Sequence, residues 1–279
     1  MDIATIIGLV LSFGVVALAG AVGGTDPGII FGRWEAIVLI LGGTLGATVT
    51  SFPWRTFATG FFGGFRTAFT VENYHERDVI ATLVAFAEKA RREGLLALEN
   101  EAAALDDEFM RKGIQLVIDG RDTEIIRKVL ETEVSNDQER GSKSESVFNC
   151  LGGYSPTLGI IGTVLGLIGM LKGLASAANS TNVAGSIGVA TAQAFVATFF
   201  GIMFANLLWL PIATKIKERN GQLLLLREIM IEGILAIQAG DNPRLLEEKL
   251  LAFLDPRDRQ EHVEEGGAAA AETFATGST

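Results

Sequence analysis

Apolar positions along this chain gather in four blocks, Ile3–Val22, Ala36–Phe52, Leu151–Leu174 and Ile187–Ile212, while charged residues gather between and after them. A bilayer core of about 30 Å is crossed by about 20 helical residues. The blocks therefore predict four transmembrane helices, of which the second is the shortest. The stretch from about Pro53 to Ser146 reads differently. Val79, Leu83, Phe86, Ala87 and Ala90 recur at helical spacing, the run after Gly94 continues that pattern, and no strand alternation of useful length interrupts it. The pattern predicts an all-α membrane protein: a transmembrane hairpin over 1–52, an all-helical domain over 53–146, a second pair of membrane helices over 147–213 and a helical tail over 214–257. From 258 to 279 the composition turns to Glu, Gly, Ala and Thr, which predicts disorder.

Turn formers and caps sharpen the boundaries. "GGTDPG", Gly23 to Gly28, predicts the turn of the first hairpin. "IQLVIDGRDTEIIRKVL" and "ILAIQAGDNPRLLEEKL" echo each other as helix, glycine and new helix start. In them Gly120 and Gly240 suit the left-handed position after a helix, Asp122 and Asn242 suit N-caps, and Pro243 suits the first helical position. The tail helix is expected to pack beside the central domain. Pro156 near the start of the third block and Pro211 at the end of the fourth predict a kink or a stop.

Composition agrees with this division. Of 279 residues 48% are hydrophobic and 33 are glycine, a membrane protein carrying a sizeable polar part. A net charge of −10 argues against nucleic acid as a partner. The single cysteine, Cys150, allows no internal disulfide. Ala17-Leu18-Ala19 resembles a signal-peptide cleavage site, yet Met1–Thr5 carries no Lys or Arg, so the first block is read as a retained helix. Arg55, Arg66, Lys143, Lys215, Lys217 and Arg219 flank one side of the blocks, whereas Ala175–Gly185 has no basic residue; Arg33 and Lys172 are the exceptions. The excess of Lys and Arg puts the central segment, the tail and both termini in the cytoplasm.

No Asp, Glu, Lys, Arg or His lies inside the blocks except Lys172, two residues from the end of the third, and Glu35 stands just before the second. Ionisable residues mark ion pathways in membranes, so a carrier carboxylate for any ion must come from another polypeptide. The third and fourth blocks carry small-residue stripes instead: Ser155, Gly159, Gly162, Thr163, Gly166, Gly169 and Gly173 in one, Ala190, Ala194, Thr198, Gly201 and Ala205 in the other. Such stripes let helix backbones approach closely. Two readings of Thr163 and Thr198 stand at this point: packing hydroxyls bonded back to their own helix, or a pair facing a shared polar path. An enzyme is the least supported class, since no nucleophile–base set, metal-ligand spacing or phosphate loop is present, and His75 and His262 stand singly.

At family level the chain resembles the MotA/PomA flagellar stator proteins. The resemblance rests on Ala194-Phe195, Ala197-Thr198-Phe199, Gly201, Met203 and Pro211, on "LGGTLGATVTSFP", on "ARREGLLALE", on "GGYSPTLGIIGTVLGLIGML" and on "GILAIQAGDNPRLLEEKL", in order and up to about Leu254. It implies a stator subunit, five copies ringed around two single-pass B-type partners that carry the ion-binding aspartate, set in the bacterial inner membrane and pushing the rotor protein FliG. It further implies that Arg91 and Glu99, with Arg92 adjacent, face the rotor, that Thr163 and Thr198 line the ion path, and that Pro156 and Pro211 are the conformational prolines. Spacing alone does not give the rotor assignment: on one helix Arg92 and Glu99 share a face, and Arg92 would pair with Glu88. No cofactor is implied beyond the translocated ion. Sodium-driven members tend to carry a threonine where this chain has Ala197; one hydroxyl fewer tilts the ion to a proton, with sodium the alternative. Two rival readings are an ExbB/TolQ-like proton-channel subunit, which usually has three membrane helices and an acidic residue in one of them, and a passive scaffold.

Overall fold

A computed structural model describes residues 2–24, 34–70, 76–176, 183–254, 256 and 259. Residues 25–28 of the expected first turn, His75, His262, Arg33 and nearly all of the terminal stretch lie outside the described residues. Among the described residues the structure is helical throughout: α1 Ile3–Val22, α2 Trp34–Ser51, α3 Trp54–Phe69, α4 Glu76–Glu93, a 3-10 turn Leu95–Leu98, α5 Glu99–Ala103, α6 Glu108–Ile118, α7 Thr123–Ser176, α8 Val183–Phe204, a π-helical turn Ala205–Trp209, α9 Leu210–Ala239 and α10 Pro243–Leu251. Among the described residues four helices are long and apolar enough to cross a membrane: Ile3–Val22, Trp34–Ser51, a window within Thr123–Ala175 and a window within Ile187–Ala239.

The chain forms two compact units. One gathers Met1–Glu72 with Glu139–Asn220, the other Asn73–Gln138 with Gly221–Thr279. The cut differs from the stretches read from sequence, because α3 and the segment before Leu151 belong with the apolar helices. Aromatic packing explains it: Phe61 stacks on Phe148 at 5.8 Å between centroids, Phe65 meets both Phe148 and Trp209 edge-on, and Gly64 leaves the room that the Phe148 ring fills. Such ring pairs contribute about 0.5–1.5 kcal/mol each beyond their buried area.

In the first unit α7 and α8 cross at backbone contact. A Cβ on Gly159 would lie 3.0 Å from the Ala197 carbonyl oxygen, and one on Gly201 would lie 2.7 Å from that of Ser155. Small residues make this closeness possible, as expected for helices that gain nothing from hydrophobic exclusion in lipid. The fully buried Ser155 donates its hydroxyl hydrogen to the Gly201 carbonyl at 2.9 Å, tying the crossing. Phe13 and Val16 of α1 rest on a further cluster of Ile40, Val196, Phe200 and Met203, although no residue of α1 is fully buried.

The second unit is a helical domain around Ile80, Leu83, Phe109, Ile114, Ile229 and Ile234. Leu246 and Leu250 of α10 join this core, so the tail helix packs beside α4 as expected. Gly120 and Gly240 take φ of 68° and 73°, the left-handed conformation that other residues enter at a cost. The Asp122 and Asn242 side chains accept from the Glu124 and Arg244 amides as N-caps, and Pro243 opens α10. Asp107 caps α6 through the Met110 amide and also takes Arg227 at 2.8 Å; the guanidinium lies 4.5 Å above the Phe109 ring.

The structure places the two prolines differently from what sequence alone suggests. Pro156 does not open a helix but lies inside α7, which begins at Thr123. Pro211 does not end the fourth membrane helix either, since it stands in the first turn of α9 and the helical path continues to Ala239. The π turn immediately before it is the reason. Proline lacks an amide hydrogen and its ring collides with the carbonyl four residues back. Widening the preceding turn opens that space without breaking the helix.

Candidate functional site

The Thr163 and Thr198 side chains meet across the α7–α8 crossing, hydroxyl to hydroxyl. Their backbone surroundings supply acceptors only. Thr163 Oγ1 lies 3.1 Å from the carbonyl oxygens of Gly159 and Ala194, and Thr198 Oγ1 lies 3.3 Å from that of Gly159. A hydroxyl has one hydrogen to donate and two lone pairs. Two hydroxyls between carbonyl acceptors can therefore be ordered in either sense: Thr163 donates to Thr198 while Thr198 donates to Gly159, or Thr198 donates to Thr163 while Thr163 donates to Ala194. Thr163 bonds back to its own helix, as the packing reading expects, and also reaches the other helix. Both threonines are half-buried.

Ala197 points to another side. It is 4% exposed, and its methyl occupies the space that a Cβ on Gly162 would need. It also forms part of the wall of a cavity of about 610 Å³ among α2, α7 and α8, lined also by Glu35, Leu39, Gly166, Met170 and Gln193. The cavity reaches Ala194, whose carbonyl accepts from Thr163, so its inner end lies beside the hydroxyl pair. No group of three or more His, Cys, Asp or Glu side chains is placed to hold a metal among the described residues.

Arg91 and Arg92 stand in the last turn of α4, whereas Glu99 opens α5. The single-helix geometry expected for them does not hold. Gly94 leaves α4 with φ of 87°, a conformation open to glycine, and the 3-10 turn redirects the chain. Leu98, fully buried, and the 2.5 Å ion pair of Lys89 with Glu101 fasten the redirected segment. Arg91, Arg92 and Glu99 are exposed and form no ion pair among the described residues, and the expected Arg92–Glu88 pair is not made.

Sequence reasoning missed a polar cluster where α1, α3 and α9 meet. Asp2 pairs with Lys215 and, at 2.7 Å, with Arg219, whose other nitrogen serves the carbonyls of Thr67 and Thr70. Lys215 also donates to the Thr5 hydroxyl. The spacing of Lys215 and Arg219, four apart on one helix face, was the available signal; nothing local named Asp2 as their partner.

Comparison with known proteins fits this geometry. The sequence model of the MotA/TolQ/ExbB proton channel family matches residues 101–229. Motility protein A of Treponema phagedenis is 38% identical over 261 residues, 94% of this chain and 97% of that protein. The chain belongs to the Motility protein A family. Motility protein A of Bacillus subtilis is 37% identical over 276 residues, 96% of each chain. The flagellar MotAB stator complex from Bacillus subtilis contains a chain that superposes with a TM-score of 0.84 at 34% identity, covering 93% of this chain and 99% of that one. Membership fixes the class of function: a membrane subunit of the flagellar stator built on the proton-channel architecture.

Proposed function

We propose that the chain forms the ion-conducting ring of a flagellar stator around a B-type single-pass partner, that it passes protons, and that its second unit pushes the rotor protein FliG. The hydroxyl pair Thr163–Thr198 carries this reading. It is a side-chain hydroxyl pair at the glycine-lined crossing of the two apolar helices that resemble the family's ion path, and it can take two hydrogen-bond orders. Neither hydroxyl titrates in the accessible pH range, so the charge must rest on a carboxylate of the partner while the pair relays or orients it. Ala197 adds no oxygen ligand, which favours a proton over a sodium ion that would need several. The cavity beside the pair provides an outer approach.

Rotor contact is supported by the exposure of Arg91, Arg92 and Glu99, which form no ion pair among the described residues. Placement in the bacterial inner membrane, spanned by the bilayer lipid, with both termini in the cytoplasm, is supported by the pairing of Asp2 with Lys215 and Arg219, which brings the start of α1 to the basic end of the fourth span. The test is to purify the chain through a C-terminal tag under mild extraction and to measure swimming with and without sodium. A single-pass partner with a membrane aspartate and sodium-independent motility are expected. An ExbD- or TolR-like partner would overturn the stator reading, and sodium-dependent swimming would overturn the proton.

A further inference from the structure

We propose that Asp2, with Lys215 and Arg219, is a latch that seats α1 against the back of the helix bearing Thr198, and that Asp2 is thereby a positioning residue for ion-driven rotation. The two oxygens of its carboxylate are divided between two tasks. Oδ1 accepts from the Ala4 amide at 3.0 Å and the Thr5 amide at 3.4 Å, capping α1, while Oδ2 takes Lys215 and Arg219. The Asp2 amide donates to the Phe69 carbonyl at 3.0 Å, and Thr5 reaches the Ala68 carbonyl at 3.4 Å, so α1 is tied to α3 as well as to α9.

The arrangement matters because no residue of α1 is fully buried. One stripe of it is half-buried, with Phe13 and Val16 resting on the cluster that includes Val196 and Phe200, and the rest of its apolar surface is open. Val196 and Phe200 flank Thr198 in sequence. A helix turned by about 20° about its axis moves a side-chain atom about 5 Å from the axis by roughly 2 Å, enough to part a hydroxyl pair. With its inner end clamped, α1 backs α8 against such a turn; without the clamp that support can swing away.

Asp2→Asn separates the two tasks, because asparagine caps a helix as well as aspartate but carries no charge. The variant is to be studied with its B-type partner in lipid nanodiscs and in cells. A positioning role is expected to leave membrane abundance and partner binding within about twofold, to speed amide exchange over residues 3–9 at least tenfold, and to lower rotation speed per engaged stator unit at least twofold. Asp2→Glu, which keeps the charge within reach of Lys215 and Arg219, is expected to recover at least half of that loss. Native speed per unit with native exchange would overturn the latch. Faster exchange with native speed would overturn its link to rotation. If the chain proves not to drive rotation at all, the exchange measurement still tests the latch by itself.

Discussion

Gly201→Ala tests whether the close α7–α8 crossing holds the hydroxyl pair, without touching either threonine. The added methyl would lie 2.7 Å from the Ser155 carbonyl oxygen and 3.0 Å from the Gly159 Cα, where ordinary contact begins at 3.4 Å. Backbone atoms cannot swing aside as a flexible side-chain end can, so the helices must part by about 0.7 Å. The Ser155–Gly201 bond would stretch from 2.9 Å to about 3.6 Å and cease to be one. Overpacking costs about 1–3 kcal/mol, and stranding the buried Ser155 hydroxyl adds about 1–3 kcal/mol. The same parting pulls Thr198 from Thr163 and from the Gly159 carbonyl. Rotation speed per stator unit, counted by stepwise recovery in a strain lacking its own stator, is expected to fall at least as far as it does in Thr198→Val. Gly8→Ala on α1, where an added methyl meets nothing within 4 Å, is the matched control and is expected to be silent. Wild-type speed in Gly201→Ala would refute the idea that the crossing holds the pair.

Thr198→Val keeps the shape and leaves Thr163 its two carbonyl acceptors, so stability should change by about 1 kcal/mol or less while ion-driven rotation falls; unchanged torque would return the residue to packing. Reversing the exposed charges that the proposed function sets against the rotor, Arg91→Glu with Glu99→Arg, is expected to preserve assembly and ion flow and to cripple rotation, and normal swimming at high load would contradict it. The hydrogen bond from Lys215, followed by its charge and the contributions of Thr5 and Arg219, holds the Asp2 carboxyl at about 2 against an ordinary 3.8. A depressed acid stabilises the fold fully above its ordinary value and loses that contribution as pH falls toward 2. Thermal unfolding in detergent should therefore show a latch contribution that is flat from pH 8 to 5 and declines progressively from about pH 4 to about pH 2, and this dependence should be absent in Asp2→Asn.

Legibility in the sequence followed the range of the forces involved. Four spans were visible because lipid imposes a length and an apolarity that every residue in a window must satisfy. Gly120, Gly240, Asn242 and Pro243 were readable for the same local reason: each fits a backbone requirement met within four residues. Thr163 and Thr198 could be nominated from their stripes, but their meeting depends on Gly159 and Gly201 letting two backbones touch, which is a property of the pair of helices. The assignment of α3 to the apolar unit rests on Phe61 and Phe65 finding Phe148 and Trp209, partners more than 80 residues away in the chain. Arg91, Arg92 and Glu99 were found by resemblance alone, and the wheel drawn through them failed at Gly94, where a single dihedral ended the helix.

The π turn before Pro211 has a consequence for how this helix is counted. A turn of that kind is an α-helix that has swallowed one extra residue. Everything downstream keeps the azimuth of a helix one residue shorter, so a projection drawn straight from Thr198 to Arg219 misplaces the far end by one step, about 100°. Pro211 pins the extra residue in place, because annealing the turn to regular α geometry would drive its ring into a carbonyl. Alignment, cysteine scanning and design across Ala205–Trp209 must carry that offset, and a one-residue deletion there sets the proline, rather than the faces of the helix, against the fold.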